Sequence, residues 1–199
     1  FLNNVSGVIH IGANSGQERD EYNLYSLDVI WIEPIPKVFK KLKKNIKRYP
    51  KQKAYKYLLT NIDNQNINFK IANNAGQSSS ILELNQHKDI WPKVEYTRSI
   101  KLKSSTLKNV IKHEKIDIKR YQALIIDTQG SELLVLKGGS NLLKNFRYIK
   151  TEAADFESYK ECCLIKDLSK FLDKFGFKEI KKIKFATRKE GGSYFDILY

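Results

Sequence analysis

The stretch Val8–Gln17, VIHIGANSGQ, decides the fold. Three apolar residues interrupted by His10 read as a short buried strand, and Gly12, Ala13, Asn14, Ser15 and Gly16 form a turn that feeds a helix from Gln17. Strand, glycine turn and helix start together make a cofactor cradle. Glycine lets the main chain take left-handed or crowded conformations and lets a ligand approach it, and the first N–H groups of a helix are free to donate. A G-x-x-x-G turn also closes ordinary strand-to-helix connections, so this stretch alone leaves a purely structural turn open.

Working outward, Leu27–Glu33 (LDVIWIE) is a second apolar run that ends in a carboxylate. Glu33 follows the first glycine by about 20 residues, the separation at which Rossmann-like folds place the acid that accepts hydrogen bonds from ribose hydroxyls. Further on, Tyr121–Asp127 (YQALIID) is the clearest buried strand and ends in Asp127, before a turn through Gly130 into another helix. An acid at the carboxyl tip of a central strand sits where the chemistry of an open α/β sheet takes place, although aspartate also caps helices.

The three segments IHIGANSGQ, IEPIP and IIDTQGSELLVLKGG, in this order and spacing, resemble the successive landmarks of the FkbM family of S-adenosylmethionine-dependent methyltransferases. The resemblance runs from Val8 to about Phe177. It implies a class I methyltransferase: an α/β, Rossmann-like, doubly wound and mostly parallel seven-stranded sheet with a C-terminal antiparallel hairpin. It also implies S-adenosyl-L-methionine as cofactor and O-methylation, with a hydroxyl of a sugar or small metabolite as acceptor. Gly12, Ala13, Asn14 and Gly16 would hold the methionine tail, Glu33 the ribose, and Asp127 would stand near the methyl. One departure is His10, at a position where the family carries an acid, which implies a weakened or rewired cofactor contact.

At 199 residues the chain is read as one domain spanning residues 1–199 with a full core. The longest apolar runs, Ala123–Ile126 and Leu133–Leu136, fall far below the roughly 18 residues of a membrane span, and FLNNVSG at the start lacks the features of a signal peptide. There is no methionine, even at position 1, which reads as a chain whose natural start lies upstream. Cys162 and Cys163 are adjacent, a spacing that suits neither an ordinary disulfide nor zinc ligands, so no metal site is expected and a reduced, cytoplasmic setting fits. The net charge of +14 allows a nucleic-acid partner. The lysines are spread along the chain among many Asn and Ile, which favours a solvated surface instead.

The remaining elements follow the alternation of apolar runs and helical repeats. Helices are expected over Gln17–Tyr25, from Lys37 to Pro50, from Ser105 with a Ser104 or Ser105 cap, after Asp127 to Gly138, and over Leu164–Phe175. Strands are expected at Ala54–Leu59, Ile67–Ala72, Tyr96–Leu102, Phe146–Glu152, Phe177–Phe185 and Ser193–Tyr199. Asn61, just after the third strand, is a candidate for the adenine side of the pocket, where ordinary turn chemistry explains it as well. The resemblance puts the polar loop Asn73–Ser80 near the reacting end of the cofactor. Glu152, Glu132 and His87 are candidates for substrate contact or for taking the acceptor's proton, with a surface position the favoured alternative for His87, and Trp91 is a candidate for the pocket border.

Two other readings share these residues. A nucleotide-dependent oxidoreductase has the same strand, glycine turn, helix and distal acid, but GANSG lacks the G-x-G-x-x-G spacing. A basic module binding nucleic acid or anionic glycans on an inactive cofactor fold is the other. Whether positive residues converge on the pocket or stay scattered discriminates the binding module, and thermal shift with S-adenosylhomocysteine, NAD and a short oligonucleotide separates all three.

Overall fold

The computed structural model describes residues 1–199. Its main sheet has seven strands in the order β3-β2-β1-β7-β8-β10-β9. These are β1 (Gly7–Ile11), β2 (Asp28–Ile32), β3 (Gln52–Tyr55), β7 (Ala123–Ile126), β8 (Tyr148–Ala154), β9 (Lys181–Thr187) and β10 (Ser193–Leu198). All neighbours pair in parallel except β10, which runs antiparallel to both β8 and β9. The α/β class, the parallel sheet and the closing hairpin are therefore those expected. The strand order reverses at β1, so a crevice opens between the carboxyl ends of β1 and β7, where ligands of such sheets bind.

The strands alternate two apolar faces because both faces are covered. Val8, Val29 and Trp31 pack with Leu42 and Ile46 beneath α1 (Arg19–Leu24) and α2 (Pro36–Asn45). Ile9, Ile11, Ile30, Ile32, Leu124 and Ile126 pack on the other face with Leu107, Val135 and Leu168, from α4 (Leu107–His113), α5 (Glu132–Gly138) and α6 (Ile165–Asp173). The short α3 (His87–Ile90) precedes α4 in the chain. Pro36 opens α2 with its φ already set for a helix, and Lys43 and Lys44 complement the dipole at its end. No helix is long and apolar enough to cross a membrane.

Three expectations need correction. The stretch Ala54–Leu59 is not one strand: β3 ends at Tyr55, and β4 (Leu58–Leu59) leaves the main sheet to pair in parallel with β6 (Tyr96–Ser105). With β5 (Asn66–Ala72) antiparallel to β6, this makes a separate three-stranded sheet, order β4-β6-β5. Leu58 turns away because Ile35, Phe69 and Ile71 form a small apolar cluster of their own that takes it up. The first helix begins at Arg19, not Gln17, because Gly12–Gly16 consumes more chain in the turn. The cap of α4 is Thr106, whose hydroxyl accepts from the Asn109 N–H at 3.1 Å, in place of Ser104 or Ser105, which are the last residues of β6.

Candidate functional site

A cavity of about 510 Å³ lies at the carboxyl ends of β1, β2, β7 and β8, within the ~300–1,000 Å³ usual for small-molecule sites. Its lining includes Gly12, Ala13, Asn14, Glu33, His87, Asp127 and Glu152, so the structure brings together seven of the residues singled out from the sequence. A second cavity of about 280 Å³ adjoins it and shares His10, Glu18, Asp127 and Glu152.

The glycine turn is built differently from an anion cradle. The N–H groups of Gly12 and Ala13 both donate to the Ile32 carbonyl, at 3.0 and 3.1 Å, and that of Gly16 donates to the Ala13 carbonyl at 2.9 Å. Asn14 donates its N–H to Glu33 Oε2 at 2.9 Å, and Ser15 donates to Asn14 Oδ1 at 2.7 Å. Every N–H from Gly12 to Gly16 is thus committed within the chain. Gly12 is required by packing: at φ +80°, a Cβ there would lie 1.7 Å from the Asp127 carbonyl oxygen. Gly16, at φ +72°, stays outside the cavity lining, and a Cβ there would lie 2.7 Å from the Leu42 side chain, so its part in the turn is conformational.

Glu33 is 4% exposed and accepts two backbone N–H groups, Asn14 on Oε2 and Ile35 on Oε1 at 2.8 Å. Burial outweighs these bonds and pushes its carboxyl up to about 8. Each carboxylate oxygen keeps a lone pair for a further donor from the cavity.

Asp127 and Glu152 stand side by side because β7 and β8 pair Ile126 with Thr151, one residue earlier on each strand. Burial and the neighbouring carboxylates raise both: Asp127 is pushed up to about 7, and Glu152 rises well above the ordinary carboxylate range. Gln129 holds Asp127 from one side. Its Nε2 donates to Asp127 Oδ1 at 2.6 Å, while Oε1 accepts from the Tyr159 hydroxyl at 2.7 Å. Gln129 takes φ +54° to do so, an uncommon conformation outside glycine. This clamp was not legible from the sequence, since Tyr159 is far along the chain and nothing near it marks a pocket.

Glu132 departs from expectation. Its Oε1 accepts the N–H groups of Thr128 and Gly130, at 2.8 and 3.1 Å, so it fastens the turn after β7 to the start of α5 and does not line the cavity. Asn61 is a second correction: it is exposed and outside the lining, because the chain at β4 diverges toward α5, where Gly138 packs against Thr60 and Asn61. Tyr57, Leu58, Leu59 and Phe69 line the region assigned to it.

The two buried histidines have distinct settings. His10 stacks on Trp31 with ring centroids 5.0 Å apart, and its Nδ1 lies 3.0 Å from the Tyr22 hydroxyl. Burial lowers it to about 3, so it is neutral at physiological pH. His87 links Ser78 Oγ on Nε2 (3.1 Å) with the Tyr194 hydroxyl on Nδ1 (2.7 Å), and burial lowers it to about 4. It also belongs to an aromatic wall in which Trp91 lies 4.6 Å from His87 and 5.2 Å from Tyr194, with Phe185 stacked on Tyr194 at 5.8 Å. The loop carrying Ser78 is tied down by Asn14 Nδ2, which donates to the Ala75 carbonyl at 3.3 Å, and by Ser80, which donates to the Gln129 carbonyl at 2.8 Å.

Charge separates this cavity from the rest of the molecule. The chain has 36 Lys and Arg against 22 Asp and Glu, yet the lining contains Glu18, Glu33, Asp127 and Glu152 and neither lysine nor arginine.

A doubly wound sheet with a closing antiparallel hairpin and a cavity at its switch point defines the class I methyltransferase architecture. Residues 10–179 match the methyltransferase FkbM domain, and the chain belongs to that family, whose cofactor is S-adenosylmethionine. No curated protein sequence matches. Among solved structures, M. capricolum TrmK in complex with S-adenosylhomocysteine shares 10% identity at a TM-score of 0.56, over 98% of this chain and 62% of that one. Precorrin-6y C5,15-methyltransferase from Geobacter metallireducens shares 12% at a TM-score of 0.53, over 98% and 80%. An uncharacterized protein from Listeria monocytogenes shares 8% at a TM-score of 0.51, and this chain spans 60% of its length. At such identities the likeness is one of fold.

Proposed function

We propose that this protein is an S-adenosylmethionine-dependent O-methyltransferase whose acceptor is a hydroxyl of a sugar or small polyhydroxylated metabolite. The observation that carries the reading is the cavity's lining: four acidic side chains, able to ionise against a cation, and no lysine or arginine in a strongly basic chain. The cofactor brings a sulfonium and an ammonium against one carboxylate, a net positive charge that this lining suits. A nicotinamide dinucleotide brings a pyrophosphate, which would meet acids and a turn whose N–H groups are already committed. Nucleic acid or an anionic glycan would likewise find no cation in the lining, so the basic surface and the cavity are separate features.

Glu33 accepts the ribose hydroxyls on its two free lone pairs. Asn14 and the turn beside it shape the methionine-tail end, and Tyr57, Leu58 and Leu59 form the apolar adenine side. When bound, the cofactor supplies an electrophilic methyl on a sulfonium. Asp127 and Glu152 then take the acceptor's proton: in transfer to an alcohol an O–C bond forms, the C–S bond breaks and the hydroxyl proton passes to a base. A carboxylate raised to about 7 is matched to that task near neutral pH. His87, lowered to about 4, is a weaker base and serves to orient Ser78 and Tyr194. Holding acceptor and methyl in line provides much of the acceleration.

The test is calorimetry with S-adenosylhomocysteine and NAD, followed by labelled S-adenosylmethionine with glycans, nucleic acids and hydroxylated metabolites. Binding of the homocysteine product and label on a hydroxyl are expected. Binding of NAD alone, or label confined to RNA or to amine nitrogen, overturns the reading.

A further inference from the structure

Resting on the methyltransferase reading, we infer that the acceptor ring carries no phosphate: it is a free sugar, or a sugar already in glycosidic linkage, and not a nucleotide-activated one. In a reaction sequence, the step that supplies this acceptor is glycosyl transfer or hydrolysis, which removes the activating phosphates before the methyl is added.

The acceptor end of the cavity has two kinds of surface. One is the aromatic wall of Trp91 and Phe185, both against Tyr194, which presents flat apolar area to a ring. Phe185 lies on β9 and is 47% exposed, although it also lines the cavity. The other surface is polar and free of positive charge: Asp127 and Glu152, with Ser78, Gln77 and Thr128 as neutral partners for hydroxyls. Aromatic faces with neutral and acidic hydrogen-bonding groups suit the apolar and hydroxylated faces of a sugar ring.

Three cations of the surrounding elements are engaged with acids or carbonyls of their own. Arg188, stacked 5.0 Å over Phe156, directs Nε and Nη2 to Asp89 Oδ2 at 2.8 and 2.7 Å and Nη1 to the Gly191 carbonyl at 3.0 Å. Lys150, in the adjoining cavity, pairs with Asp196 at 3.3 Å. Lys70 donates to the Ile81 carbonyl at 3.0 Å and pairs with Glu83 at 3.1 Å. A phosphate held at the wall would therefore be desolvated beside two acids with no counter-charge in the lining, and a buried anion without a partner is strongly disfavoured.

The experiment uses the full chain loaded with S-adenosylhomocysteine. Tryptophan fluorescence is followed during titration with UDP-glucose, glucose 1-phosphate and inorganic pyrophosphate, with Trp91→Phe as the control that isolates the wall. No saturable, Trp91-dependent change is expected up to about 10 mM. Gln77→Arg adds a cation at the lining and is expected to bring in binding of the same probes, at least about tenfold tighter than wild type. Alongside, labelled S-adenosylmethionine is supplied with a panel of rings, each as methyl glycoside, sugar 1-phosphate and nucleotide diphosphate sugar. Glycosides are expected to exceed their phosphorylated counterparts by about 100-fold or more in kcat/KM. Saturable Trp91-dependent binding of a phosphorylated probe to wild type, no gain with Gln77→Arg, or equal methylation of a phosphorylated ring each overturns the inference. Failure of S-adenosylhomocysteine to bind at all strikes the methyltransferase reading instead.

Discussion

Replacing Glu33 with glutamine should make the ligand-free protein more stable at alkaline pH while weakening cofactor binding. The wild-type carboxyl titrates at about 8 in the folded protein against an ordinary 4.5. A carboxyl raised by folding favours the native state below its unfolded value, and that contribution disappears as pH rises through the folded value. At 1.36 kcal/mol per pH unit, burying the Glu33 carboxyl costs the native state about 2 kcal/mol at pH 6, where it is held protonated, and roughly 5 kcal/mol at pH 9, where it is ionised. Glutamine escapes this cost. It accepts on one oxygen only, so it turns an amide N–H₂ toward one of the two backbone donors, Asn14 or Ile35, at a pH-independent cost of about 1–3 kcal/mol. The stability difference should therefore move about 3 kcal/mol in favour of the variant between pH 6 and pH 9, or roughly 6–12 °C in melting temperature for a chain of this size. Chemical denaturation at both pH values measures it. Calorimetry should show S-adenosylhomocysteine binding weakened by about 1.5–3 kcal/mol, since hydrogen bonds to a charged acceptor are lost. In wild type, binding near pH 7 should release protons, detectable by repeating the titration in buffers of different ionisation enthalpy. A stability difference that stays flat with pH, or a variant that binds as tightly as wild type, refutes the reasoning.

With the proposed base Asp127 raised to about 7, single-turnover rates should climb between pH 6 and pH 8, and a flat profile removes the acid pair as base. Because the Gln129 amide lowers Asp127, Gln129→Leu should shift that profile toward higher pH, whereas a merely structural role for Gln129 would lower the rate without moving it. Tyr159→Phe, which frees the other end of the clamp, should shift it in the same direction by less. Gly12→Ala should destabilise by more than about 3 kcal/mol, because its Cβ meets the Asp127 carbonyl at 1.7 Å; a melting temperature within 2 °C of wild type, roughly the effect of 1 kcal/mol, would contradict that packing.

The sheet was legible because its code is local. The runs ending at Ile11, Glu33 and Asp127 are apolar on both faces, and only strands covered by helices on both sides are written that way. The three-stranded sheet was not, because Leu58 and Leu59 continue the apolar pattern of the strand before them and nothing local shows that their partner is β6, over forty residues on. The candidate site divides along the same line. Gly12, Asn14, Glu33, Asp127 and Glu152 sit at strand ends, and strand ends converge once the sheet order is known. Asn61 failed because it rode on a strand that left the sheet. Gln129, Tyr159 and Phe185 act through contacts between distant elements and carry no signature of their own.

The glycine turn shows why a motif of this kind underdetermines its ligand. Gly12 and Gly16 are demanded by left-handed backbone and by the closeness of Asp127 and Leu42, whether or not any molecule binds. The same G-x-x-x-G spelling could serve a phosphate if its N–H groups pointed outward. Here Glu33 accepts from Asn14 and Asn14 Oδ1 accepts from Ser15, which turns the donors inward and leaves a carboxylate at the cavity wall. On the proposed reading, the ligand preference thus lies in the acid at the end of β2 and in what the turn gives up to it. Removing Glu33 therefore touches the turn as well as the proposed ribose contact, which is why its stability and binding effects must be measured together.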